Sequence, residues 1–561
     1  MEQDRLPGKG SRAAQDVPYL EQLAKIRQVF PQPVSDRTHD AYFVISILRA
    51  LDQIDAMKSQ LPILGQPRQL DYEAARAARM PESMASIEEI AARLVATFHG
   101  LPIWSHPRAQ VNVIAPPSIP SIIGALLPAI YNPNLVSDDS AFGVAVAEQE
   151  AVAIVASLVG MDPNKAAGWF TFGGTGTVLC GVKVGLEKAV PNAMEEGVGD
   201  RAVLIASEQS HYCRLNVAGW LGLGEKRVVL VPTNEANEMR VDQLESIASQ
   251  AIQNGKRIAA ILATLGTTDA LGLDDLEAIV AVRDRLVERF GLDYRPHVHA
   301  DAVVGWAWSV FNDYDFRTNP LGFRPRTVRA LAGVCRRIAR LGLADSIGVD
   351  FHKTGFAPYV SSLFLLRDQE DRRFLMRGRN EMPYLFQTGQ HHPGKYTLET
   401  SRGAGGVLAA WANLHMFGKL GMRCLLGHLV EMAELLREHL EGHEATTVLN
   451  DQNFGTVTLF RVYPEGVDTW TIKQREQHDA GAQTLLEEYN EYNRRIFHYL
   501  YQRAMQGEGV LLSMTDCYRR SDFGLPIVAL KSYILSPFID AGHIEHLVET
   551  ILEARRAIDW H

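Results

Sequence analysis

The chain has 561 residues, 46% of them hydrophobic and 22% charged, and its formal net charge is -10. Such a chain can bury a large core in more than one domain, and its acidic balance argues against a general nucleic-acid binder, which needs basic residues to neutralise phosphates. Five dispersed cysteines without a CxxC pair are poor material for a disulfide framework or a thiolate zinc site, so a reducing compartment is the simpler interpretation.

Two stretches of the sequence bear on localisation. The N-terminal stretch MEQDRLPGKGSRAAQDVPY is polar and lacks the apolar region of a signal peptide. The most apolar stretch, VIAPPSIPSIIGALLPAIY, contains four prolines and cannot be interpreted as an uninterrupted spanning helix. We therefore expect a cytoplasmic protein that does not bind a membrane.

The first part of the chain is predicted to be a helical N-terminal segment over residues 1–110. The stretches AYFVISILRALDQIDAMKSQLP and SMASIEEIAARLVATF place apolar residues at spacings of three and four. Within the second stretch, SIEE has the form of a capping box.

Residues 111–402 are predicted to form a large α/β domain. Short apolar strands such as AVLIAS, IAAILATLG, PHVHAD and DSIGVDF alternate with helix-like runs such as LDDLEAIVAVRDRLVERFG. This alternation indicates a mostly parallel sheet that is covered by helices and binds ligands at the carboxyl ends of its strands. A long helical pattern then leads into a smaller C-terminal α/β domain over residues 403–561.

Four features lie at or just after the ends of predicted strands. They are the glycine-rich turn at 173–176, then His211, then Asp301, and finally the neighbouring pair His352 and Lys353. Each has an ordinary explanation on its own: a tight turn, a structural imidazole, an arginine ion pair, or a lysine that reaches solvent. Together they match what pyridoxal 5′-phosphate (PLP) requires, namely a phosphate cradle, a flat group to stack on the ring, a carboxylate for the pyridine nitrogen and a Schiff-base lysine.

Two further expectations concern the chemistry of these residues. Apolar surroundings are expected to lower the pKa of the Lys353 amine and so make it a better nucleophile. A metal site is an alternative, because His297, His299 and Asp301 alternate along one strand and share a face, although this spacing does not give the helical ligand geometry of many zinc sites.

The motifs resemble those of the group II PLP-dependent amino-acid decarboxylases of fold type I, and they are most similar to the bacterial tyrosine decarboxylases. The resemblance extends from about residue 100 to the end of the chain. The motifs that carry it are SEQSHY (207–212), ATLGTT (263–268), H-x-DA (299–302), D-x-HK (350–353), PYLFQTG (383–389), LETSRGAGGVLAAW (398–411) and VALKSYILSPF (528–538).

This resemblance implies a PLP-type fold and a set of cofactor-binding residues. Lys353 would form the Schiff base, and Asp301 would pair with the pyridine nitrogen. Ala302 and His211 would pack on opposite faces of the ring. The other implied contacts are Gly174, Thr175 and His352 at the phosphate and Thr268 beside the ring.

The resemblance also implies substrate-binding and catalytic residues. Tyr384 matches a tyrosine on the family's catalytic loop, which often enters the active site of the partner subunit, and would return a proton to the substrate Cα. Arg402 matches a basic position that can hold a substrate carboxylate, while Tyr359 and Ser536 match positions near an aromatic-substrate pocket. We therefore expect a homodimer, with its active site near the subunit interface, that decarboxylates an aromatic L-amino acid such as tyrosine.

Several alternatives stay open at this point. Arg402 and SEQSHY are also typical of glutamate-type enzymes, which act on acidic amino acids. Another PLP-dependent carbon–carbon lyase or aldehyde synthase would use the same cofactor residues. A silent PLP-binding homologue, or a metal-dependent hydrolase using His297, His299 and His352, is a more distant interpretation.

Overall fold

The computed structural model of the chain describes residues 26–28, 37–58, 61–67, 69–378, 381–382 and 388–558. The chain divides into two compact units, Met1–Pro102 and Ile103–His561. Of the helices in these ranges, none combines the length and the apolar composition that a membrane crossing needs.

The first unit contains the helices α1 (Arg37–Met57), α2 (Tyr72–Ala77) and α3 (Ile87–Ala96). Helices α1 and α3 overlap with the two stretches of helical periodicity. The side chain of Ser86 caps α3 by accepting a hydrogen bond from the Glu89 backbone N–H at 3.1 Å, as the SIEE pattern predicts.

The second unit contains two sheets. Its strands are β1 (Ala109–Gln110), β2 (Ala167–Thr171), β3 (Ala202–Ser207), β4 (Val228–Val231), β5 (Arg257–Thr264), β6 (His297–Asp301), β7 (Ser346–Asp350), β8 (Ser362–Leu366), β9 (Thr446–Val448), β10 (Val457–Val462), β11 (Leu511–Thr515) and β12 (Ala529–Tyr533). The larger sheet has the order β2-β8-β7-β6-β5-β3-β4, and β8 is the strand in it that runs antiparallel to its neighbours. This mostly parallel sheet confirms the predicted α/β class.

Helices cover both faces of the larger sheet, which is why its central strands are buried along their whole length. The α-helices of this unit are α4 (Ile119–Tyr131), α5 (Asp138–Ala141), α6 (Gly143–Leu158), α7 (Gly174–Ala189), α8 (Ala193–Glu196), α9 (Cys213–Trp220), α10 (Val241–Gln253), α11 (Leu276–Phe290), α12 (Pro325–Ile338), α13 (Gly405–Glu441), α14 (Ile472–His478), α15 (Gln483–Met505) and α16 (Ala541–Ala557). Helix α7 packs closely on β5, β6 and β7, and a Cβ atom at Gly181 would lie only 2.4 Å from Nδ1 of His299.

The smaller sheet has the order β1-β11-β12-β10-β9. Its edge strand β1 lies inside the segment that was predicted to be helical up to residue 110, so that prediction is wrong for residues 109–110. They are extended because they pair in parallel with Leu511 and Leu512 of β11.

The long helix α13, which is interrupted by a kink at Gly418, connects the two sheets. It packs against α4, α6 and α12 beside the larger sheet and against α16, β9 and β10 beside the smaller one. It begins at Gly405, near the predicted boundary between residues 402 and 403. Both sheets belong to the same compact unit, so the division into domains 111–402 and 403–561 stays a prediction.

Candidate active site

The carboxyl ends of β6 and β7 bring the predicted cofactor residues to one edge of the larger sheet. Asp301 ends β6 and Asp350 ends β7, and the parallel register places Asp301 opposite Gly348. Phe351, His352 and Lys353 follow Asp350 in a turn that ends the strand. The predicted convergence of these side chains therefore follows from the order of two neighbouring parallel strands.

Lys353 lies against a carboxylate. Its side chain is 16% exposed, and its Nζ lies 2.9 Å from Oδ2 of Asp350. Burial by itself lowers the pKa of this amine, but attraction to Asp350, with a further contribution from Asp301, raises the pKa above its ordinary value. The expectation of a lowered pKa is therefore wrong for this arrangement, because the amine has a carboxylate partner as well as apolar surroundings.

Asp350 is a site residue to which the sequence analysis gave no role, although it opens the D-x-HK motif. Its carboxyl group is buried, its Oδ1 accepts a hydrogen bond from the Ser362 hydroxyl at 2.6 Å, and its Oδ2 lies 3.4 Å from Nε2 of His352. The indole N–H of Trp306 donates to its backbone carbonyl at 3.1 Å. Asp350 is thus fixed from several sides and can hold Lys353 and His352 together.

Asp301 is a buried carboxyl group with an unfilled hydrogen-bonding position. Its Oδ1 has no hydrogen-bond partner among the described residues. Burial raises the pKa of Asp301 to about 6, and the negative charge of Asp350 adds to this effect while Lys353 opposes it. A buried carboxylate oxygen of this kind needs a donor, which a protonated ring nitrogen would provide.

The glycine-rich turn forms a cradle at the N-terminus of α7. Gly173 has a φ of 118°, a conformation that favours glycine, and α7 begins at Gly174. A Cβ atom at Gly174 would lie 2.9 Å from Oδ2 of Asp350, and one at Gly176 would lie 2.5 Å from Oγ1 of Thr171. The Gly176 N–H donates to the Gly173 carbonyl at 2.8 Å, while Gly174 and half-buried Thr175 begin the helix at its positive end, where an anion is favoured.

Two imidazoles lie beside the charged groups. Burial lowers the pKa of His211 to about 4, with Lys353 and Arg214 adding to the shift, so its ring is neutral near pH 7. Burial also lowers the pKa of His352, whose Nδ1 lies 3.0 Å from the carbonyl oxygen of Ser361. Neutral, flat rings of this kind are suited to stacking or to donating a single hydrogen bond.

Ala302 and the turn that contains Thr268 complete this edge of the sheet. Ala302 is fully buried, and its backbone N–H donates to the Gly348 carbonyl at 3.2 Å, which fixes it next to β7. The turn closes through the Gly272 N–H, which donates to Oγ1 of Thr267 at 2.8 Å. Thr268 itself is half-buried.

Lys531 is a second functional candidate that sequence reasoning missed. It lies on β12 of the smaller sheet with a side chain only 4% exposed, and its Nζ donates to Oδ1 of Asp269 at 2.7 Å. Asp269 directly follows Thr268, so Lys531 brings a cation to the predicted cofactor turn. The signal in the sequence was a lysine in the middle of the apolar strand VALKSYIL.

Arg402 does not fit the role predicted for it. Its Nη1 donates to Oε1 of Glu148 and to the Phe170 carbonyl, and its Nη2 donates to Oε2 of Glu148 and to the Leu135 carbonyl. All four terminal N–H groups are therefore used within the protein. Because the pair is buried, a substrate carboxylate would have to displace Glu148 from its only arginine partner in the described chain.

Three predicted site residues remain, and two of them, Tyr359 and Ser536, lie in the described ranges. Tyr359 is 57% exposed, and the centre of its ring lies 4.1 Å from that of His352. Ser536 is buried and donates to the Ser105 carbonyl at 2.5 Å, which occupies its hydroxyl proton. Tyr384 lies outside the described residues.

The histidines considered as metal ligands bond to a serine. Nε2 of His297 and Nδ1 of His299 lie 2.7 Å and 2.8 Å from Oγ of Ser346, and burial lowers the pKa of each ring to about 3. Within the described ranges, no group of three or more histidine, cysteine, aspartate or glutamate side chains is arranged to hold a metal ion.

A lysine, a buried carboxyl group with a free oxygen and a glycine cradle now stand together at one edge of a mostly parallel sheet. The model of the pyridoxal-dependent decarboxylase conserved domain matches residues 67–462 of the chain. The chain belongs to the pyridoxal-dependent decarboxylase family. It is therefore a PLP-dependent enzyme that decarboxylates an amino acid.

Curated relatives agree with this family at low sequence identity. The L-2,4-diaminobutyrate decarboxylase of Acinetobacter baumannii is 26% identical over 395 residues, which cover 67% of this chain and 71% of that protein. The L-tyrosine decarboxylase of Enterococcus faecalis (strain ATCC 700802 / V583) is 23% identical over 338 residues, covering 57% of this chain and 52% of that protein.

Solved structures support the fold. The glutamate decarboxylase domain of a diaminobutyrate-pyruvate transaminase and L-2,4-diaminobutyrate decarboxylase from Vibrio parahaemolyticus has a TM-score of 0.71 at 19% identity, covering 96% of this chain and 100% of that one. Oryza sativa TDC, solved with PLP and tryptamine, has a TM-score of 0.72 at 15% identity, covering 94% and 99%. The protein therefore has the PLP-dependent fold type I expected from its motifs.

The residues at the edge of the sheet fit PLP. The free Oδ1 of Asp301 suits a protonated pyridine nitrogen, and the N-terminus of α7 at Gly174 offers the positive end of a helix to a phosphate. Lys353 would supply an amine for the cofactor's aldehyde, and its Nζ is held by Asp350. The chain thus offers the hydrogen-bond and charge partners that PLP needs from a protein.

Proposed function

We propose that the enzyme converts an aromatic L-amino acid such as tyrosine to its amine and carbon dioxide, as a cytoplasmic homodimer. The observation that carries the substrate choice is the ring of Tyr359, which lies against the ring of His352 and exposes an aromatic surface next to Lys353. Aromatic rings gain about 0.5–1.5 kcal/mol from such pairing beyond the burial of their area. The name of the Enterococcus relative points to the same substrate class.

The state of Arg402 also bears on this choice. An arginine at this position favours an acidic substrate only if its N–H groups can reach the substrate carboxylate. Its four terminal N–H groups are committed to Glu148 and to backbone carbonyls, and only its buried Nε–H has no partner, so it offers no bidentate contact to a second carboxylate. This favours an aromatic over an acidic side chain.

Each residue at the site would have a separate role in cofactor binding or catalysis. PLP supplies an electron sink for the bond that breaks when carbon dioxide leaves. Lys353 would hold the cofactor, Asp301 would keep a proton on its ring nitrogen, and His211 and Ala302 would pack against its two faces. Tyr384 would deliver a proton to the substrate Cα, and a loss of that proton donor would favour aldehyde formation.

We propose that Lys531, rather than Arg402, receives the substrate carboxylate. It is a nearly buried cation that reaches the turn of Thr268 through Asp269. A substrate carboxylate could share this ammonium with Asp269, because an ammonium has three N–H donors.

A second candidate substrate is L-2,4-diaminobutyrate. The specific observation in its favour is the match to the Acinetobacter enzyme of that name, which extends over two thirds of this chain. Its side-chain ammonium would need a carboxylate partner in the substrate pocket rather than an aromatic wall.

The test is to incubate the PLP-loaded enzyme with each common L-amino acid and with L-2,4-diaminobutyrate while measuring carbon dioxide, amine and aldehyde. Tyramine formation from tyrosine is the expected outcome, and Lys353→Ala provides the inactive control. Turnover of diaminobutyrate or glutamate in preference to every aromatic substrate would overturn the aromatic assignment. Aldehyde as the main product would instead support an aldehyde synthase.

A further inference from the structure

Asn237 is a fully buried side chain that none of the proposed catalytic roles uses. It lies in the loop between β4 and α10, is 0% exposed and has a φ of 59°, a left-handed conformation that asparagine tolerates better than most residues. A buried amide in a connecting loop must find partners for two donors and for its carbonyl oxygen.

The amide of Asn237 finds all of these partners. Its Oδ1 accepts hydrogen bonds from Nε2 of Gln209 at 2.9 Å and from Nη2 of Arg519 at 2.6 Å. Its Nδ2 donates to Oδ1 of Asn453 at 2.6 Å and to the Tyr518 hydroxyl at 2.9 Å. The side chain is therefore fixed in one orientation by contacts from several directions.

These partners come from both sheets. Tyr518 and Arg519 follow β11 of the smaller sheet, and Asn453 lies in the connection between β9 and β10. Gln209 lies in the loop after β3 of the larger sheet, two residues before His211. One asparagine thus joins the smaller sheet to the loop that carries the imidazole proposed to stack on PLP.

The backbone of Asn237 also packs against the turn of Thr268. A Cβ atom at Gly272 would lie 2.4 Å from the Asn237 carbonyl oxygen, so the two segments are in tight contact there. Gly272 in turn closes the turn, because its carbonyl accepts the Thr267 N–H at 3.1 Å. Asn237 therefore touches both loops that flank the proposed ring position.

We propose that Asn237 is a positioning residue that fixes the loops of His211 and Thr268 relative to the smaller sheet, and thereby sets how tightly the enzyme holds PLP. This proposal rests on the proposed roles of His211 and Thr268 beside the cofactor. Without the amide, Gln209 loses its acceptor and the smaller sheet loses its link to the His211 loop. The loops of His211 and Thr268, which would contact the PLP ring, would then be free to shift.

The experiment compares Asn237→Ala with Asn493→Ala, a matched control. Asn493 is also 0% exposed and makes comparable bonds, accepting from the Val462 N–H and donating to the Val462 and Tyr489 carbonyls, but it does so beside the smaller sheet and away from both loops. Each variant is stripped of cofactor and titrated with PLP, and the Tm, the Kd for PLP and the visible circular dichroism of the bound cofactor are measured.

We expect both variants to lower the Tm, and Asn237→Ala alone to raise the Kd for PLP by about tenfold and to weaken the visible dichroism. Gln209→Ala removes a single contact and should raise the Kd less, which keeps the test available if Asn237→Ala folds poorly. An unchanged Kd in both Asn237→Ala and Gln209→Ala would overturn the proposal.

His211→Ala separates this outcome from a failure of the proposed site. If His211→Ala leaves the Kd and the dichroism unchanged, the assignment of His211 to the cofactor is wrong, and the proposal built on it falls as well. If His211→Ala weakens PLP binding while Asn237→Ala does not, the site assignment stands and the positioning role of Asn237 is wrong.

Discussion

A lysine next to a buried aspartate explains how a charge can lie at the mouth of a buried strand. The Asp350 carboxyl is 1% exposed, and Lys353 is the ammonium that pairs with it. Neutralising one partner of a buried pair leaves the other charge unpaired, which costs more than the pair contributes. The pair therefore has a structural consequence beyond cofactor binding.

Lys353→Ala is expected to destabilise the cofactor-stripped protein by about 3–5 kcal/mol, whereas Lys353→Arg keeps a cation beside Asp350 and should cost much less. Both variants should lose the visible absorbance that depends on a Schiff base between Lys353 and PLP, and all amine formation. Urea unfolding monitored by circular dichroism measures the stability difference. Equal stability of the two variants would show that the ion pair does not support the fold.

Asp301 should give the cofactor-stripped protein a pH-dependent stability. Its pKa is raised from 3.8 to about 6 in the folded protein, so between these values the folded protein holds a proton that the unfolded chain has released. The free energy of unfolding therefore falls as pH rises from about 4 to 6, by about 3 kcal/mol for two pKa units.

Asp301→Asn removes this titration, so its stability should change less between pH 4 and pH 7 than that of the wild type. The comparison of slopes isolates Asp301 from other buried acids such as Asp274, which titrate in both proteins. Thermal or urea unfolding across this pH range, without cofactor, is the measurement. Parallel stability curves for the two proteins would contradict the raised pKa.

At the scale of elements, α7 depends on glycines that let it approach the sheet. His299, against which Gly181 packs, is fully buried and is held by Ser346, so it cannot move aside freely. Gly181→Ala should therefore destabilise the protein by about 1–3 kcal/mol through overpacking. By shifting α7 it should also weaken PLP binding at the Gly174 cradle.

Gly219→Ala in α9 is the matched control for this change. A Cβ atom there would meet nothing within 4 Å, so the substitution should be neutral or should stabilise the helix by up to about 1 kcal/mol. Urea unfolding midpoints of the two variants make the comparison. A Gly181→Ala protein as stable as Gly219→Ala would mean that α7 can shift without cost.

The same elements show what the sequence could predict. The apolar strands β5, β6 and β7 and the helix-like runs between them indicate a parallel sheet, and residues at the ends of parallel strands must converge, so the grouping of Asp301 with Lys353 follows from local pattern. The partner of Arg402 does not, because Glu148 lies 254 residues away in sequence. Asp350 lies only three residues before Lys353, but the sequence does not show the rotamer by which the two side chains meet, and the raised pKa of Lys353 depends on that contact.

At the scale of the whole molecule, α4 leaves an apolar surface exposed. Side chains at helical spacing along α4 are all well exposed to solvent, namely Ile119, Ile122, Ile123, Leu126, Leu127 and Tyr131. A contiguous apolar stripe of this kind is typical of an interaction surface rather than of a monomer in water. It is consistent with the homodimer that we propose, in which a second copy covers this stripe.

A mixed dimer tests whether the active site is shared between subunits. In the shared arrangement Tyr384 of one subunit serves Lys353 of the other, so a dimer of one Lys353→Ala chain and one Tyr384→Phe chain contains one site with both native residues. Each parent dimer should form little amine, with aldehyde rising in Tyr384→Phe. Random reassociation of the two should restore amine formation to about a quarter of the wild-type value, because half of the dimers are mixed and half of their sites are intact. If Tyr384 acts within its own subunit, every site in the mixture lacks one native residue and no amine formation returns.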